Sequence, residues 1–290
     1  MSAGKPSLLI HGNCQADHLA RIARHLPDLR EVFTIKSIET QRVTPEDWDT
    51  RYDEAFFADV RVVWNQAETG EPNEHRRMLA SRLPAGCRIV NFPPLILLCL
   101  WPFSGSDPRV ATAGDYVYPW PDSVAASLDP AVTGEDLPDD ALYDRYMAMT
   151  RERMPDLDRR LRLDATRARA VEALSDFGVW DWIEAHFRTA KLFHTATHLT
   201  APAFGYLMHH LLARTDGLTS AAIARAQRDA AFLMRGNDGQ DVETVPIHPL
   251  IAERMGLTWY DPLGRHKWRS HLWTHREYIL KYIRWEPFMP

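Results

Sequence analysis

The sequence predicts an α/β fold, with an N-terminal open parallel sheet of Rossmann-like or SGNH-like layering followed by a largely α-helical C-terminal part. Two observations predict it. Short apolar runs with strand character alternate with stretches of helical period over roughly the first hundred residues, and beyond residue 140 the apolar positions keep a helical period. Strands that alternate with helices imply right-handed parallel crossovers and a sheet covered on both faces.

The first strand is expected over 7–11 (Ser7-Leu8-Leu9-Ile10-His11), where three apolar residues form a brief buried run. Gly12-Asn13 breaks it, and Leu19, Ile22, Ala23 and Leu26 then fall on one face of a helix over 16–26. Further strands are expected at 32–37, 60–64 and 87–91, with helices between them at 45–57 and 72–83. Thr44-Pro45-Glu46-Asp47 opens the first of those helices with an N-cap, a proline at the first helical position and acids in the first turn. Pro72-Asn73-Glu74 opens the second with similar cap chemistry. Residues 102–140 are rich in Pro, Gly and Asp and read as an irregular connection. Helices are then expected at 142–154 and along Val171, Leu174, Phe177, Trp180 and Ile183, where Gly178 is a kink point. Three more are expected at 201–213 after a cap at Thr200, at 221–234 after Ser220, and at 271–285. The organisation this implies is a nucleophile-bearing α/β part over 1–101, the connection over 102–140, and a helical part over 141–290 packed on the first.

A net charge of −5 weighs against a nucleic-acid binder held by overall positive charge. The three cysteines, Cys14, Cys87 and Cys99, are too few and odd in number for a disulfide framework, so a reducing, cytoplasmic setting is expected. Residues 1–6 lead into an apolar run too short for a signal peptide, and the longest apolar run, 95–101, is too short to span a bilayer. No membrane insertion is expected.

The strand–turn–helix at residues 7–26 sets Cys14 at the carboxyl end of a strand and against the positive end of the following helix, a favourable address for a nucleophile. In open parallel sheets ligands bind beyond these strand ends. Here His11, Asn13 and Gln15 end the first strand, Asn65-Gln66 the third and Asn91 the fourth, so amide side chains converge on one edge. Asn13 and Asn65 are candidate oxyanion donors; the plainer reading is that such asparagines cap helices. A second stretch, Phe193-His194-Thr195-Ala196-Thr197-His198, places two histidines in a loop before the Thr200 cap, where a catalytic role is plausible. A zinc-protease pattern would need Glu at Thr195 and a third ligand, so no metal is expected. Arg265-His266-Lys267-Trp268-Arg269, with Arg235 elsewhere, could grip the phosphates and base of a nucleotide-like cofactor, and His11 joins these binding candidates. Gly12 stands alone, without the further glycines of a Walker or dinucleotide fingerprint.

Gly12-Asn13-Cys14-Gln15 after the first strand resembles the N-terminal signature of the WcbI-type family of polysaccharide biosynthesis enzymes. Phe193-His194-Thr195 through His198 is similar to that family's second signature, and Asn91-Phe92-Pro93-Pro94 to a middle block. Family members tend to have proline after the second histidine, where this chain has Leu199. The resemblance implies binding of coenzyme A and transfer of an acetyl group from acetyl-CoA to a sugar hydroxyl of a capsule or surface-polysaccharide precursor. It carries Cys14, Gln15, His194 and His198 over as candidate site residues. Cys14 would be the acyl carrier and one histidine the base; alternatively the histidine deprotonates the sugar directly and Cys14 only shapes the site. Two other readings stand beside it. One is a hydrolase laid out like the SGNH esterases, although their terminal Asp-x-x-His is not evident; the other is a non-catalytic glycan-binding module, which the ten tryptophans would suit.

Overall fold

The computed structural model describes residues 4–71, 74–105, 107, 109, 121–235, 238–240, 243–268 and 270–285. The expected α/β architecture is present. Four strands, β1 (Ser7–Gly12), β2 (Thr34–Glu39), β3 (Val60–Gln66) and β4 (Arg88–Phe92), form one parallel sheet in the order β2-β1-β3-β4. All six residues of β1 are buried, which is why its apolar run is continuous rather than alternating. On one face Leu9, Val60 and Val63 pack with Trp48, Tyr52, Phe57 and Leu79. The helix α1 (Cys14–Ala23) follows β1 directly and buries Ala16, Leu19, Ala20, Ile22 and Ala23.

The strand order has a functional consequence. From β1 the chain steps to β2 on one side, then crosses to β3 on the other side of β1. The topological switch point therefore lies between the carboxyl ends of β1 and β3, the place where an open α/β sheet leaves a crevice.

Two compact units can be recognised, each discontinuous in sequence. The first comprises Met1–Leu95, Thr166–Asp181 and Leu199–Gly239; the second comprises Ile96–Ala165, Trp182–His198 and Gln240–Pro290. In the first, Trp64 Nε1 donates to Thr215 Oγ1 at 3.0 Å and Arg225 holds Asp28 at 2.5 Å, so sheet and later helices share one core. In the second, the Arg109 guanidinium bridges Asp107 and Asp129, each at 2.8 Å, while the Tyr282 hydroxyl donates to Asp107 at 2.6 Å.

Several local expectations need correction. The helix expected over 16–26 begins two residues earlier, at Cys14, and a short helix, Pro27–Val32, precedes β2. The helix expected over 45–57 is two, Asp47–Thr50 and Glu54–Phe57, because Asp53 caps the second through Phe56 N. The next helix is Glu74–Arg82, and its expected cap at Pro72-Asn73 lies outside the described residues. In the 102–140 passage, Ser123–Ala126 and Pro130–Thr133 are short helices, while 110–120 lies outside the described residues. Residues 139–152 form the expected amphipathic helix, Asp139–Glu152.

The stripe at 171–183 is not one helix. Leu157–Glu172 ends where Glu172 turns its carboxylate onto the Val179 and Trp180 N–H groups, and that bond starts a new helix, Trp180–His186. Ala201–Leu212 follows Thr200, whose side chain makes no capping bond, and Ser220–Arg235 has Thr219 Oγ1 accepting from Ala222 N. Residues 271–273 belong to a hairpin, His266–Trp268 with His271–Trp273. The last helix, His275–Arg284, starts only after a capping box made by Thr274 and Glu277. Among the described residues no helix is long and apolar enough to cross a membrane.

Candidate active site

Gly12 is the hinge between β1 and α1. Its φ of +154° is one L side chains rarely adopt, and a Cβ there would lie 2.6 Å from Gln66 Cβ and 2.8 Å from Gln66 Oε1. That close approach lets Gln66 Oε1 accept the Asn13 N–H at 2.9 Å. Asn13 is the N-cap, its Oδ1 accepting from Gln15 N at 2.9 Å. Cys14 is then the first helical residue, half-buried, at the end of the helix where the dipole favours an anionic side chain. The sheet's switch point thus presents a thiol.

Beside it, the three strand-end residues expected to converge do so. His11 is in register with Asn65, and Asn65 with Asn91. Asn65 Nδ2 donates to Asn91 Oδ1 at 2.8 Å, so Asn65 Oδ1 is left to accept from His11 Nδ1–H, also at 2.8 Å. The row is anchored by Asp176, whose carboxylate accepts the Asn91 N–H at 2.6 Å. These bonds fix the His11 tautomer and leave Nε2 as a bare acceptor, buried and without a hydrogen-bond partner. Burial is the main cause that pushes the His11 pKa down to about 4, so the ring is neutral at physiological pH. Asn65→Ala removes one acceptor and one donor from this row. It is expected to destabilise the protein by about 1–3 kcal/mol in denaturant titrations, and an unchanged unfolding midpoint would show the row to be dispensable.

Gln15 is wholly buried. Its Nε2 donates to the Leu95 carbonyl at 2.8 Å and its Oε1 accepts from Leu95 N at 3.1 Å and from Gln66 Nε2 at 3.3 Å. It braces the segment after β4 against the first turn of α1. Asn13 likewise uses its side-chain oxygen as a cap, and Asn65 uses its amide within the strand row, so each of these polar residues has a clear structural duty.

Within the second unit, His194 and His198 share a tight loop in which His194 N donates to the His198 carbonyl at 2.9 Å and Thr195 Oγ1 accepts from His198 N at 3.0 Å. The loop is laced to neighbouring chain by Leu97 N on the Ala196 carbonyl and Val245 N on the His194 carbonyl. Burial lowers the His198 pKa, partly opposed by a hydrogen bond with the Glu243 backbone. His266 comes next to this group: burial first, then Lys191 and His194, push its pKa down to about 4. Sequence reasoning placed His266 in a basic, aromatic cluster that could grip the phosphates and base of a cofactor and missed this neighbourhood, because nothing in the spacing of residues 194 and 266 links them.

The other cationic candidates belong to different elements. Arg265 donates to the Leu272 carbonyl and Lys267 pairs its backbone with Thr244 within the second unit. Arg235 is exposed at the end of its helix in the first unit, and Arg269 lies outside the described residues. Among the described residues no group of three or more side chains could hold a metal ion.

Comparison with known proteins extends the picture. A family model described as "Polysaccharide biosynthesis enzyme WcbI" matches residues 7–218. No curated protein matches the chain. A solved structure of similar fold, at 17% identity and a TM-score of 0.69, covers 97% of this chain and 90% of its own. It is described as WcbI, a novel polysaccharide biosynthesis enzyme, in its native form without a disulfide bond between coenzyme A and its Cys14. The family match takes in the switch-point turn, the strand-end row and the two-histidine loop, and with them most of the sequence. This chain belongs to the WcbI family of polysaccharide biosynthesis enzymes.

Proposed function

We propose that the protein is a coenzyme A-dependent O-acyltransferase that passes an acetyl group from acetyl-CoA to a sugar hydroxyl during capsule or surface-polysaccharide assembly. The observation that carries the proposal is a half-buried thiol at the first position of α1, at the switch point of the sheet. The solved structure of similar fold, whose description names coenzyme A together with its Cys14 and says that no disulfide joins them there, supports it.

In the first step the Cys14 thiolate attacks the thioester carbonyl carbon. A new C–S bond forms, the bond to coenzyme A breaks, and the departing thiolate takes up the proton that Cys14 gave up. One thioester replaces another, so the exchange is nearly level in free energy. In the second step a sugar hydroxyl loses its proton to a base and attacks the acyl carbon, releasing the Cys14 thiolate and forming an oxygen ester, which is downhill. His11 Nε2, neutral and unpartnered, fits the role of acceptor for an N–H or O–H of the bound donor. With a pKa near 4 it is too weak a base to take the hydroxyl proton itself. His194 and His198 are carried forward as the base on the strength of the motif, to be tested by single His→Gln variants. A polar donor set aimed at the oxyanion would come from Asn13, Asn65 and backbone N–H groups at the start of α1. Arg235, Arg265, Lys267 and Arg269 remain candidates for the phosphates, whereas a neutral His266 would contribute an N–H rather than charge.

Calorimetric titration of coenzyme A into the protein and into Cys14→Ala tests this. Saturable binding in the micromolar range, about −8 kcal/mol, retained in the variant, is the expected result. Intact-mass spectrometry with acetyl-CoA should then show an acyl adduct on the parent protein and none on Cys14→Ala. Binding without an adduct would favour direct attack by the sugar. Absence of binding at millimolar ligand would remove coenzyme A from the proposal, and turnover of simple activated esters would then make hydrolysis the better reading.

A further inference from the structure

Resting on the acyl-transfer reading, we infer that His18, one turn along α1 from Cys14, takes the thiol proton and hands it to the departing thiolate of coenzyme A. Both residues belong to the single helix Cys14–Ala23, four positions apart. Side chains at that spacing share a helix face, with about 5–6 Å between their Cβ atoms, and they lean toward the helix start. A ring at position 18 therefore lies over the turn that carries the thiol. Cys14 and His18 are both half-buried, whereas Gln15, Ala16, Leu19 and Ala20 are buried, so the pair sits on the outer face of α1. The helix expected from residue 16 left Cys14 outside it. Only the observed start puts thiol and imidazole in one helical register.

The imidazole is also held in place. It stacks on Phe204 of the helix Ala201–Leu212, with ring centroids 4.2 Å apart and planes 27° apart, and Phe204 is fully buried. Stacking engages a face of the ring and leaves the two nitrogens at its edge, so the contact limits rotation without using the atoms that carry the proton. Nearby acids do not stand bare against a thiolate. Asp17, on the same face of α1, pairs with Arg21 at 2.9 Å, and Glu39 at the end of β2 pairs with Arg42 at 3.3 Å. His11 is no substitute, because its Nδ1–H is bonded to Asn65 and burial holds its pKa down to about 4.

A free thiol titrates near 8.5 and imidazole near 6.5, so in water this proton transfer is unfavourable by about a hundredfold. A helix start and an adjacent imidazolium both favour the thiolate, and such settings bring thiols down to roughly 3.5–7.5. When the Cys14 S–H bond breaks, its proton moves to a ring nitrogen of His18. The thiolate adds to the thioester carbonyl carbon, and the bond from that carbon to the coenzyme A sulfur breaks. The imidazolium then gives its proton to the departing sulfur and ends neutral.

The test needs no coenzyme A. Alkylation of Cys14 by iodoacetamide, with peptide mapping to separate it from Cys87 and Cys99, is followed from pH 5 to pH 10 in the parent and in His18→Phe. That variant keeps an aromatic ring to stack on Phe204 but has no ring nitrogen. The parent midpoint is expected below about pH 7.5, and that of His18→Phe at least one pH unit higher. His18→Gln should move it in the same direction. Equal midpoints in the parent and His18→Phe would overturn the inference and leave the ring as packing. So would a parent midpoint at the free-thiol value. Should Cys14 resist alkylation, the ultraviolet absorbance of the thiolate, taken as the difference from Cys14→Ala, gives the same midpoints. The two readings fail separately. A midpoint that depends on His18 in a protein that binds no coenzyme A keeps the thiol–imidazole pair and removes its acyl donor. An acyl adduct on Cys14 with a midpoint indifferent to His18 keeps the acyl transfer and ends the inference.

Discussion

Between pH 6.5 and pH 4 the protein is expected to lose on the order of 6 kcal/mol of folding stability, from two buried histidines at about 3 kcal/mol each. His11 and His248 are 0% and 4% exposed, and burial pushes both pKa values from 6.5 down to about 4. Above pH 6.5 both are neutral in the folded and the unfolded chain, and titration contributes nothing. As pH falls through 6.5 the unfolded chain takes up protons that the folded chain refuses, so stability drops until the folded pKa is reached and then levels off. The folded structure enforces neutrality in detail. His248 Nδ1 accepts from Leu250 N as the cap of the helix Pro249–Met255, and its Nε2 bonds Thr150 Oγ1 at 2.9 Å, so the ring has no site for a second proton without breaking the cap. His275, also buried and held well below its usual pKa, lies 5.3 Å from His248 between ring centroids and adds to the same trend. Against a total of about 5–15 kcal/mol for a natural protein, this loss removes a large share of the stability by pH 4. Urea unfolding at pH 7, 5.5 and 4.5 checks it: midpoints that stay constant across that series would refute the assignment of neutral buried histidines.

Gly12→Ala is expected to destabilise the protein by about 3 kcal/mol and to disable the candidate site at the same time. The methyl group meets Gln66 Cβ at 2.6 Å and Ala16 Cβ at 3.0 Å, and the backbone must keep φ at +154°. Overpacking of this kind costs about 1–3 kcal/mol, and a disfavoured backbone conformation adds a similar amount. Neither neighbour can yield cheaply. Gln66 is in a central strand and its Oε1 holds Asn13 N, while Ala16 sits in the first turn of α1. Any relief therefore moves the turn that carries Cys14. The variant should melt roughly 6–12 °C lower and bind coenzyme A at least tenfold more weakly. A variant that melts lower but binds normally would show that the turn relaxes without moving the thiol.

Much of the first unit was legible because its signals are local. β1, β3 and β4 announce themselves as short β-rich runs, Gly12-Asn13 as a break, and α1 by its 3.6 period, so Cys14 could be assigned to a strand-to-helix turn before any coordinates. The convergence of His11, Asn65 and Asn91 was also foreseeable, since parallel strands bring their carboxyl ends to one edge. Local signals misled where a side chain acts beyond its own turn. The apolar stripe from Val171 to Ile183 has a helical period, yet Glu172 reaches seven and eight residues ahead to the Val179 and Trp180 N–H groups and divides it. His271 to Trp273 carries apolar residues that suit a helix, but pairing with His266 to Trp268 makes it a strand. The helix Leu157–Glu172 went unread because most of its surface is solvated and few apolar positions mark a buried face.

By itself, then, the sequence determined the α/β class, the address of the thiol and the family, because periodicity, turn residues and short motifs reside in contiguous stretches. Tertiary structure alone decided what the polar residues around that thiol do. It made Gln15 a brace on Leu95, eighty residues away, drew His266 to His194, and left His11 Nε2 as a buried open acceptor. It also interleaved the segments of the two units. Such pairings depend on which side chains meet after the chain has folded back on itself, and spacing along the chain carries no record of that.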